Sequence, residues 1–462
     1  MPTDTGSTLA SDLTALLGRD RVSTLPEVLQ THSIDKWHAS APPDVVVLAK
    51  EREDVVKTLR YASAHGIPVT TRGAGVGYVG GCVPVRGGIV LSVRGMDRIL
   101  EINPADGVAV VQPGVILGDL QAAVLKRGWY YPPDPASLKE CSIGGNIATN
   151  AGGPRCLKYG VTRHYVLGLE VVLASGEVLR TGGRCHKNKT GFDLIGMFVG
   201  SEGLLGVVTE ATLRLIPHPP ARATFSASFA TFAAAADAVQ TILDAGYLPA
   251  ALEIADAFTL EAARAYPGNT AAPKGEAHLL LDIDGQPDAV NADAASLMHL
   301  LGTLSPVSLT VAHDDATCDE LWEIRRSFSY SLRATGLVKL NEDIVVPRGR
   351  LVDLAAFSKQ LQEESGFAVA SFGHAGDGNI HVNIMVDQAV IDGEPERVEA
   401  ALDRLFRQVL DWGGAITGEH GIGLAKKRWY PDAVSPVAQD VHERLKRALD
   451  PLGILNPGKF VA

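Results

Sequence analysis

The alternation of apolar and polar positions changes character about halfway along the chain. Near its start, an apolar stretch at residues 45–49 is followed by an amphipathic segment at 54–65 and a second apolar stretch at 67–71. Short apolar runs of this length predict strands, and the 3.6-residue period between them predicts a helix. The chain therefore opens with a β-α-β unit, which follows a short helical lead over residues 1–40.

Short strands separated by glycine-rich loops continue this first part as far as a proline-rich break at residues 217–220. The strands predicted there are 88–93, 107–112, 167–173, 177–181 and 206–215, with a helix at 117–127. Beyond the break glycine thins out and helices alternate with strands. Helices are predicted at 231–245, 290–301, 318–335, 350–365, 396–412 and 435–452, and strands at 278–283, 309–313, 369–373 and 380–386. This alternation favours an antiparallel sheet covered by helices.

These patterns predict an α+β protein of several domains, because 462 residues are too many for one hydrophobic core. We assign residues 1–40 to the helical lead and 41–218 to the first domain. The second domain spans 219–412, and a C-terminal segment spans 413–462.

Composition narrows the class of protein. The net charge of −11 and the lack of a basic run argue against a nucleic-acid partner. The five cysteines contain no Cys-x-x-Cys pair, which fits free thiols in a reducing cytosol better than a disulfide framework. Neither a secretory signal nor an apolar run of the roughly 18 residues that a membrane helix needs is visible. We expect a cytoplasmic protein without a transmembrane segment, and peripheral association with a membrane stays open.

A glycine-rich loop follows the strand at 67–71 and matches G-x-G-x-x-G from Gly75 to Gly80. A Rossmann dinucleotide site needs a helix directly after this motif, because the helix N-terminus holds the pyrophosphate. Residues 83–88 lead into a strand instead, and no acidic residue occupies the ribose position. Two interpretations remain: a nest of backbone N–H groups that cradles a diphosphate, or a flexible loop.

Two further glycine-rich loops favour the cradle. Residues 141–153 combine small side chains with Asn146, Thr149 and Asn150, which can hydrogen-bond the heteroatoms of a flat ligand lying on the backbone. A third loop spans residues 200–210. Three such loops in one domain indicate a large planar dinucleotide bound in extended form.

The strongest chemical signal lies in the second half, where His374 and His381 flank a turn-forming Gly-Asp-Gly at 376–378. A turn there would bring the two imidazoles together, and the two-residue period puts His381 and Asn383 on one face of a strand. Glu419, between glycines, could add a carboxylate. Two His and one carboxylate leave positions open for substrate on Zn, Mn or Fe(II). Core or surface histidines with backbone partners are the alternative.

In order and content, these loops resemble the FAD domain of the vanillyl-alcohol-oxidase-type flavoproteins. Within that group they resemble the D-lactate, glycolate and D-2-hydroxyglutarate dehydrogenases, from about residue 42 to the C-terminus. The resemblance implies a two-lobed FAD-binding domain and a ferredoxin-like antiparallel-sheet substrate domain. It assigns FAD contacts to Arg72, Gly73, Ala74, Gly75, Val76, Gly77, Tyr78, Gly80, Pro132, Ser142, Gly145, Asn146, Asn150, Val208, Glu419 and Asn456.

The chain departs from this family at two positions of the first loop. Many relatives read R-G-x-G-T-G-L there, whereas this chain has Val76 and Tyr78. Some members attach the flavin through a His in that loop; because none is present here, we expect non-covalent FAD. Residues 449–459 resemble the family's closing motif, which should return to the FAD domain and bring Asn456 near the flavin.

The same resemblance implies roles for the second half. It makes His374, His381 and Glu419 metal ligands and His420 the catalytic base. It assigns substrate contacts to Arg325, Ser329, Asn383 and Lys339.

Arg325 would bind the substrate carboxylate with a two-pronged guanidinium contact, and we therefore count it with the catalytic residues. A solvated helix arginine is the alternative, which fits the neighbouring Arg326 better. Lys339 is offset from the position that meets the distal carboxylate in D-2-hydroxyglutarate enzymes, and Glu342 and Asp343 stand close by in the sequence. A short monocarboxylate, D-lactate or glycolate, is therefore favoured.

The resulting hypothesis is an FAD-dependent dehydrogenase that oxidises a small D-2-hydroxy acid to the 2-keto acid. Neutral His420 would take the hydroxyl proton, with a divalent metal on the substrate and flavin N5 receiving a hydride. Removal of the α-proton by His420 would use the same residues. An electron-transfer flavoprotein, a quinone or an iron–sulfur subunit could accept the electrons, and a homodimer stays open. Alternatives are a D-2-hydroxyglutarate dehydrogenase, an oxygen-using oxidase, a metal-dependent hydrolase and a non-catalytic flavin-binding subunit.

Overall fold

The computed structural model describes residues 5–269 and 273–461, which form two compact units. The first unit comprises Met1–Gly152, Val161–His218 and Glu419–Ala462, and the second comprises Gly153–Gly160 and Pro219–Gly418. Residues 1–4 of the expected helical lead, and residue 462 of the expected C-terminal segment, lie outside the described residues.

The elements are numbered along the chain. The strands are β1 (Val22–Ser23), β2 (Val45–Leu48), β3 (Val69–Arg72), β4 (Ile89–Ser92), β5 (Ile99–Asn103), β6 (Val108–Val111), β7 (Trp129–Tyr130), β8 (Val166–Val172), β9 (Val178–Gly182), β10 (Val207–Arg214), β11 (Ile216–Pro217), β12 (Ala221–Phe229), β13 (Ala251–Ala255), β14 (Ala277–Gly285), β15 (Ser308–Ala312), β16 (Val338–Val345), β17 (Ala368–His374) and β18 (Asn379–Val386). The helices are α1 (Thr5–Leu17), α2 (Pro26–Thr31), α3 (Arg52–His65), α4 (Leu117–Leu125), α5 (Ile143–Thr149), α6 (Cys156–Tyr159), α7 (Leu194–Phe198), α8 (Phe232–Asp244), α9 (Ala257–Ala265), α10 (Pro287–Thr303), α11 (Asp315–Arg333), α12 (Leu351–Ser365), α13 (Gln388–Gly393), α14 (Pro395–Asp411), α15 (Tyr430–Ala433) and α16 (Pro436–Leu449).

The predicted β-α-β opening is present in the first unit. β2 and β3 both pair in parallel with β4, and β1 pairs antiparallel with β2, which gives the order β1-β2-β4-β3. α3 begins with a capping box of Glu51 and Asp54 and ends at Gly66, whose φ of 64° carries no steric cost for glycine. Its buried apolar residues belong to a core cluster that also contains Ile454 and Leu455. The C-terminal segment is therefore part of the core of this unit.

A second sheet of the first unit is antiparallel, with the order β5-β6-β10-β8-β9. β10 alternates buried with partly exposed residues, the period-2 pattern of a half-buried strand. The register between β10 and β8 shifts between Val208 and Glu210. At this bulge, the Thr209 hydroxyl donates to the Glu170 carboxylate at 2.9 Å. The bulge follows directly on the glycine-rich segment that enters β10.

The second glycine-rich segment differs from the prediction of a loop, because residues 143–149 form helix α5. Ser142 caps the helix by accepting from the Gly145 amide, and Asn150 ends it with a left-handed φ of 51°. A Cβ at Gly144 would lie 2.6 Å from the Pro113 Cβ. Glycine is therefore needed for close packing here, and its weak helix propensity is overridden by the caps and by this contact.

The second unit contains an antiparallel sheet of order β15-β12-β14-β13-β17-β18-β16 with helices packed on it, as the sequence predicts. Strands β12, β13 and β16 are additions to the prediction. Buried Glu253 interrupts the apolar run of β13, and β16 carries charged side chains at several positions. Residues 413–418, which we assigned to the C-terminal segment, lie in this unit, because Ala415 forms a bridge with Val345.

Two expectations from composition can be compared with the structure. Five cysteines of the described residues form no disulfide with one another: Cys82, Cys141, Cys156, Cys185 and Cys318. In the ranges 5–269 and 273–461, no helix combines the length and apolar character that crossing a membrane requires.

Candidate functional site

The first glycine loop of the first unit is folded around the side chain of Arg72. This side chain is buried, and its Nη1 donates to the Ile34 carbonyl at 2.5 Å. Gly75 has a φ of 71°, and a Cβ there would collide with the Arg72 guanidinium. Only glycine fits this position, so no side chain covers the backbone at this turn of the loop.

The backbone of this loop can donate hydrogen bonds. The Ala74 amide donates to Ser142 Oγ at 3.3 Å, which ties the loop to the start of α5. No described residue accepts a hydrogen bond from the amides of Gly75, Val76 and Gly77. Successive free N–H groups suit the oxygens of a diphosphate. The residues present therefore fit the nest interpretation of this loop.

Other positions assigned to FAD lie in the same unit. Pro132 is buried, between the Tyr131 and Pro133 carbonyls that accept from Gln121 Nε2. Asn146 is buried in α5, Asn150 Oδ1 accepts from the Arg163 amide at 2.9 Å, and Val208 pairs with Val171 in the sheet.

Tyr78, one of the two departures from the family pattern, contacts His420. The two rings stack with centroids 5.3 Å apart and planes inclined by 28°. His420 lies 3.9 Å from the Glu419 carboxylate, measured from Nε2 to Oε1. The sequence gives no signal for this ring contact beyond the unusual aromatic residue in the loop.

Buried Glu202 holds the chain just after His420. Its carboxylate accepts from the amides of Ile422 and Gly423, both at 2.8 Å. Burial raises the pKa of Glu202, although these two N–H donors oppose the rise. Asn456 supports the same place, since its Nδ2 donates to the Glu202 carbonyl at 2.7 Å and to the Gly81 carbonyl at 2.9 Å. Our sequence analysis missed Glu202; the acid between glycines in Gly-Ser-Glu-Gly was the available signal.

In the second unit, β17 and β18 form the predicted hairpin. His374 pairs with Asn379, and His381 pairs with Phe372. The Gly378 amide donates to the His374 carbonyl at 3.1 Å and closes the turn. The rings of His374 and His381 have centroids 5.6 Å apart and planes inclined by 81°. The turn therefore brings the two imidazoles together.

A buried carboxylate of β13, Glu253, lies between two of the assigned residues. Glu253 Oε1 accepts from His374 Nδ1 at 2.6 Å, and Oε2 accepts from Arg325 Nε at 2.5 Å. Burial opposes ionisation of Glu253, but its contacts with the His374 imidazole and the Arg325 guanidinium outweigh burial and lower the pKa of Glu253 to about 2. Our sequence analysis missed this residue, which reads as an ordinary strand position.

Glu419 directly follows Gly418, the last residue of the second unit. Buried Asp343 of β16 fixes this segment by accepting from the Gly418 amide and the Thr417 hydroxyl, both at 2.9 Å. One ligand atom each from His374, His381 and Glu419 lies within 4.8 Å of the others. Two imidazoles and one carboxylate are donors that a divalent transition metal accepts. The three residues therefore fit such an ion.

Lys339 lies close to two of the other residues assigned to substrate. Its Nζ donates to Ser329 Oγ at 2.9 Å and lies 5.6 Å from the centre of the Phe372 ring. The Arg325 guanidinium lies 4.9 Å from the same ring. Burial, then the charges of Arg333 and Arg325, lower the pKa of Lys339 to about 7. The side chain of Glu342 lies on the opposite face of β16 from that of Lys339, because an odd number of positions separates the two residues.

Two asparagines lie opposite one another in this sheet. Asn341 pairs with Asn383 across β16 and β18. Asn383 Nδ2 donates to the carbonyls of Ala370 and His381 at 2.9 and 3.0 Å. Within the described residues, neither Asn383 Oδ1 nor Asn341 Oδ1 has a hydrogen-bond partner. A ligand with a donor group would satisfy such buried acceptors. Asn341 was not predicted.

Comparison with protein-family models gives two matches. Residues 43–182 match the model described as "FAD binding domain", and residues 218–460 match "FAD linked oxidases, C-terminal domain". Together these matches cover most of the chain.

Similar proteins and a similar solved structure agree with these matches. The glycolate oxidase subunit GlcD of Bacillus subtilis (strain 168) is 40% identical over 420 residues, covering 91% of this chain and 89% of that protein. A D-lactate dehydrogenase of Anaerostipes hadrus is 33% identical over 437 residues, covering 93% and 92%. The structure of p-cresol methylhydroxylase with substrate bound has a TM-score of 0.80 at 20% identity, covering 99% of this chain and 98% of that one. The predicted vanillyl-alcohol-oxidase-type fold is confirmed.

Proposed function

Because the chain belongs to the FAD-linked oxidase family, we propose that this FAD-linked oxidoreductase oxidises a small D-2-hydroxy acid, D-lactate or glycolate, to the 2-keto acid. The observation that carries this proposal is the group of His374, His381 and Glu419, with Arg325 joined to His374 through Glu253. A cation site next to a guanidinium suits a substrate that carries a hydroxyl beside a carboxylate. The names of the two relatives support the same substrate class.

When bound, FAD would supply the two-electron acceptor for the oxidation, and a divalent cation held by His374, His381 and Glu419 would lower the pKa of the substrate hydroxyl. The residues of the chain do the rest. Arg325 binds the carboxylate through its terminal nitrogens, since Nε is engaged by Glu253. His420 takes the hydroxyl proton on an imidazole nitrogen. Phe372, which is 4% exposed, keeps water from the carboxylate contact.

The proposal requires substrate to reach both the flavin and the His and Glu residues in one bound state. It also requires an electron acceptor, which we propose to be a flavoprotein, a quinone or an iron–sulfur partner. The Bacillus relative is named as a subunit of glycolate oxidase, which supports a separate protein partner.

An anaerobic panel of D- and L-2-hydroxy acids, followed at the flavin absorbance band, tests this function. D-lactate or glycolate should bleach the flavin, and L-lactate should not. Re-oxidation in air at the turnover rate would favour an oxidase. A colourless protein would favour a hydrolase, and a yellow protein that no 2-hydroxy acid bleaches would favour a flavin-binding subunit.

A second candidate is a dicarboxylate such as D-2-hydroxyglutarate, and the contact between Lys339 and Ser329 favours it. Although the sequence spacing is offset, this ammonium group belongs to the same cluster as Arg325, near the ring of Phe372. The Lys339 ammonium group, a second positive charge beside Arg325, could bind a distal carboxylate. Including D-2-hydroxyglutarate in the panel separates the two candidates.

The second candidate predicts a pH dependence. Because the pKa of Lys339 is lowered to about 7, its charge is complete well below that pH and is lost above it. The KM for D-2-hydroxyglutarate should therefore rise about tenfold between pH 6 and pH 9, the worth of one charge-assisted hydrogen bond. Bound dicarboxylate would move the midpoint upward, because it favours the charged amine.

Lys339→Met should remove this rise and leave the KM for D-lactate unchanged. Lys359→Met, at an exposed position of α12, is the matched control. If the KM of the Lys339→Met variant still rises with pH as in the parent protein, another group carries the effect.

A further inference from the structure

Glu253 differs from the other buried carboxylates of the second unit in what it contacts. It is 1% exposed, and its two oxygens bind two different functional side chains, His374 and Arg325. Asp282, equally buried on the neighbouring strand β14, accepts instead from Thr224 and Trp322. Glu253 therefore joins a residue assigned to metal with a residue assigned to substrate.

We infer that Glu253 is a positioning residue that sets the imidazole of His374 for metal binding and the guanidinium of Arg325 for substrate binding. The inference rests on the proposed function, because it presumes a cation at His374. It assigns to Glu253 a role in two binding events and no contact with the reacting atoms.

The contact with His374 fixes which ring nitrogen carries the proton. An ionised carboxylate only accepts hydrogen bonds, so Nδ1 of His374 must be the donor. The lone pair then resides on Nε2, the ring nitrogen that can coordinate a metal. Carboxylates behind metal-binding imidazoles commonly orient the ring and strengthen it as a ligand.

The contact with Arg325 fixes the orientation of its guanidinium group. Glu253 uses only Nε of the guanidinium, and the Phe372 ring lies against that group with 4.9 Å between Cζ and the ring centre. The two terminal nitrogens can then form the parallel pair of bonds that a carboxylate prefers. An arginine released from Glu253 would lose this preset orientation and bind substrate more weakly.

Glu253→Gln separates this role from a purely structural one. A glutamine has one acceptor and one donor end, so it cannot accept from both His374 and Arg325. If the glutamine NH₂ donates to His374 Nδ1, the imidazole proton moves to Nε2 and prevents that nitrogen from binding the metal. If the glutamine oxygen accepts from His374 instead, its NH₂ faces Arg325 Nε, and two donors are then opposed without an acceptor. Asp282→Asn is the matched control, since it also replaces a fully buried carboxyl group of this sheet with an amide.

The measurement is the affinity of the chelator-treated, FAD-loaded protein for Zn²⁺, in competition with a chromophoric chelator. The Glu253→Gln variant should bind Zn²⁺ about 10- to 100-fold more weakly. Its KM for D-lactate should rise more than its kcat falls. Asp282→Asn should keep the Zn²⁺ affinity and KM of the parent protein, and Glu253→Asp should recover part of the Zn²⁺ affinity.

Unchanged Zn²⁺ affinity in Glu253→Gln would overturn the inference while leaving the proposed function intact. An equal loss in Asp282→Asn would also overturn it, because the effect would then follow from the loss of any buried carboxyl group of this sheet. If Glu253→Gln does not fold, Glu253→Asp carries the test, and an affinity equal to the parent overturns the inference. A parent protein whose flavin is reduced by D-lactate but which binds no Zn²⁺ contradicts the metal part of the proposed function and, with it, this inference.

Discussion

His420→Ala is expected to keep its yellow FAD and to reduce that flavin about 10²- to 10⁴-fold more slowly with D-lactate, the usual worth of a general base. Loss of the imidazole removes the group that would take the hydroxyl proton. The loop should survive the change, because Glu202 holds the amides of Ile422 and Gly423 independently of the His420 ring. Anaerobic stopped-flow reduction, with FAD content measured on the same sample, gives both readouts.

His65→Ala is the control, since His65 is an exposed residue at the end of α3. It should reduce the flavin at the rate of the parent protein. Reduction of the His420→Ala flavin at that same rate would remove His420 from the mechanism. Loss of FAD from this variant would instead assign the residue to cofactor binding.

His374→Ala is expected to lose bound metal and activity together. Two of the three ligands would remain, which is too few to hold a divalent ion firmly in an open site. A metal that stabilises charge on oxygen contributes several kcal/mol, so flavin reduction should fall about 10²- to 10³-fold. Metal analysis and anaerobic flavin reduction on one preparation measure the two losses side by side.

His313→Ala, at an exposed position of the same unit, should keep both metal and rate. Excess Zn²⁺ or Mn²⁺ should restore part of the rate in His374→Ala if weak binding is the cause of the loss. A variant that reduces its flavin normally without metal would show that the ion is dispensable.

The fold was readable from the sequence where local patterns decide it. The hairpin carrying His374 and His381 follows from Gly-Asp-Gly and from the two-residue period on either side. The β-α-β opening follows from one amphipathic helix between two apolar runs. In both cases the interactions that set the structure lie within a few dozen residues.

The parts that were missed depend on distant contacts. Glu253 contacts His374 across 121 residues, and no local pattern pairs a carboxylate in one strand with a histidine in another. β13 was missed for a related reason, because a charged residue in a short apolar run argues against a buried strand until its partners are known. Lys339 appeared offset from the expected position in the sequence, yet its long side chain reaches Ser329.

The bridge between Val69 and Leu455 determines when the first unit can complete its fold during synthesis. Asn456 contacts Gly81 across 375 residues of chain, so the first unit lacks part of its interior until residues 455 and 456 have been synthesised. Residues 219–418, which supply most of the second unit, leave the ribosome before residues 455 and 456. They can therefore fold while the first unit is still incomplete. Nascent chains arrested before residue 454 should therefore fail to retain FAD, so flavin loading should follow the synthesis of the second unit.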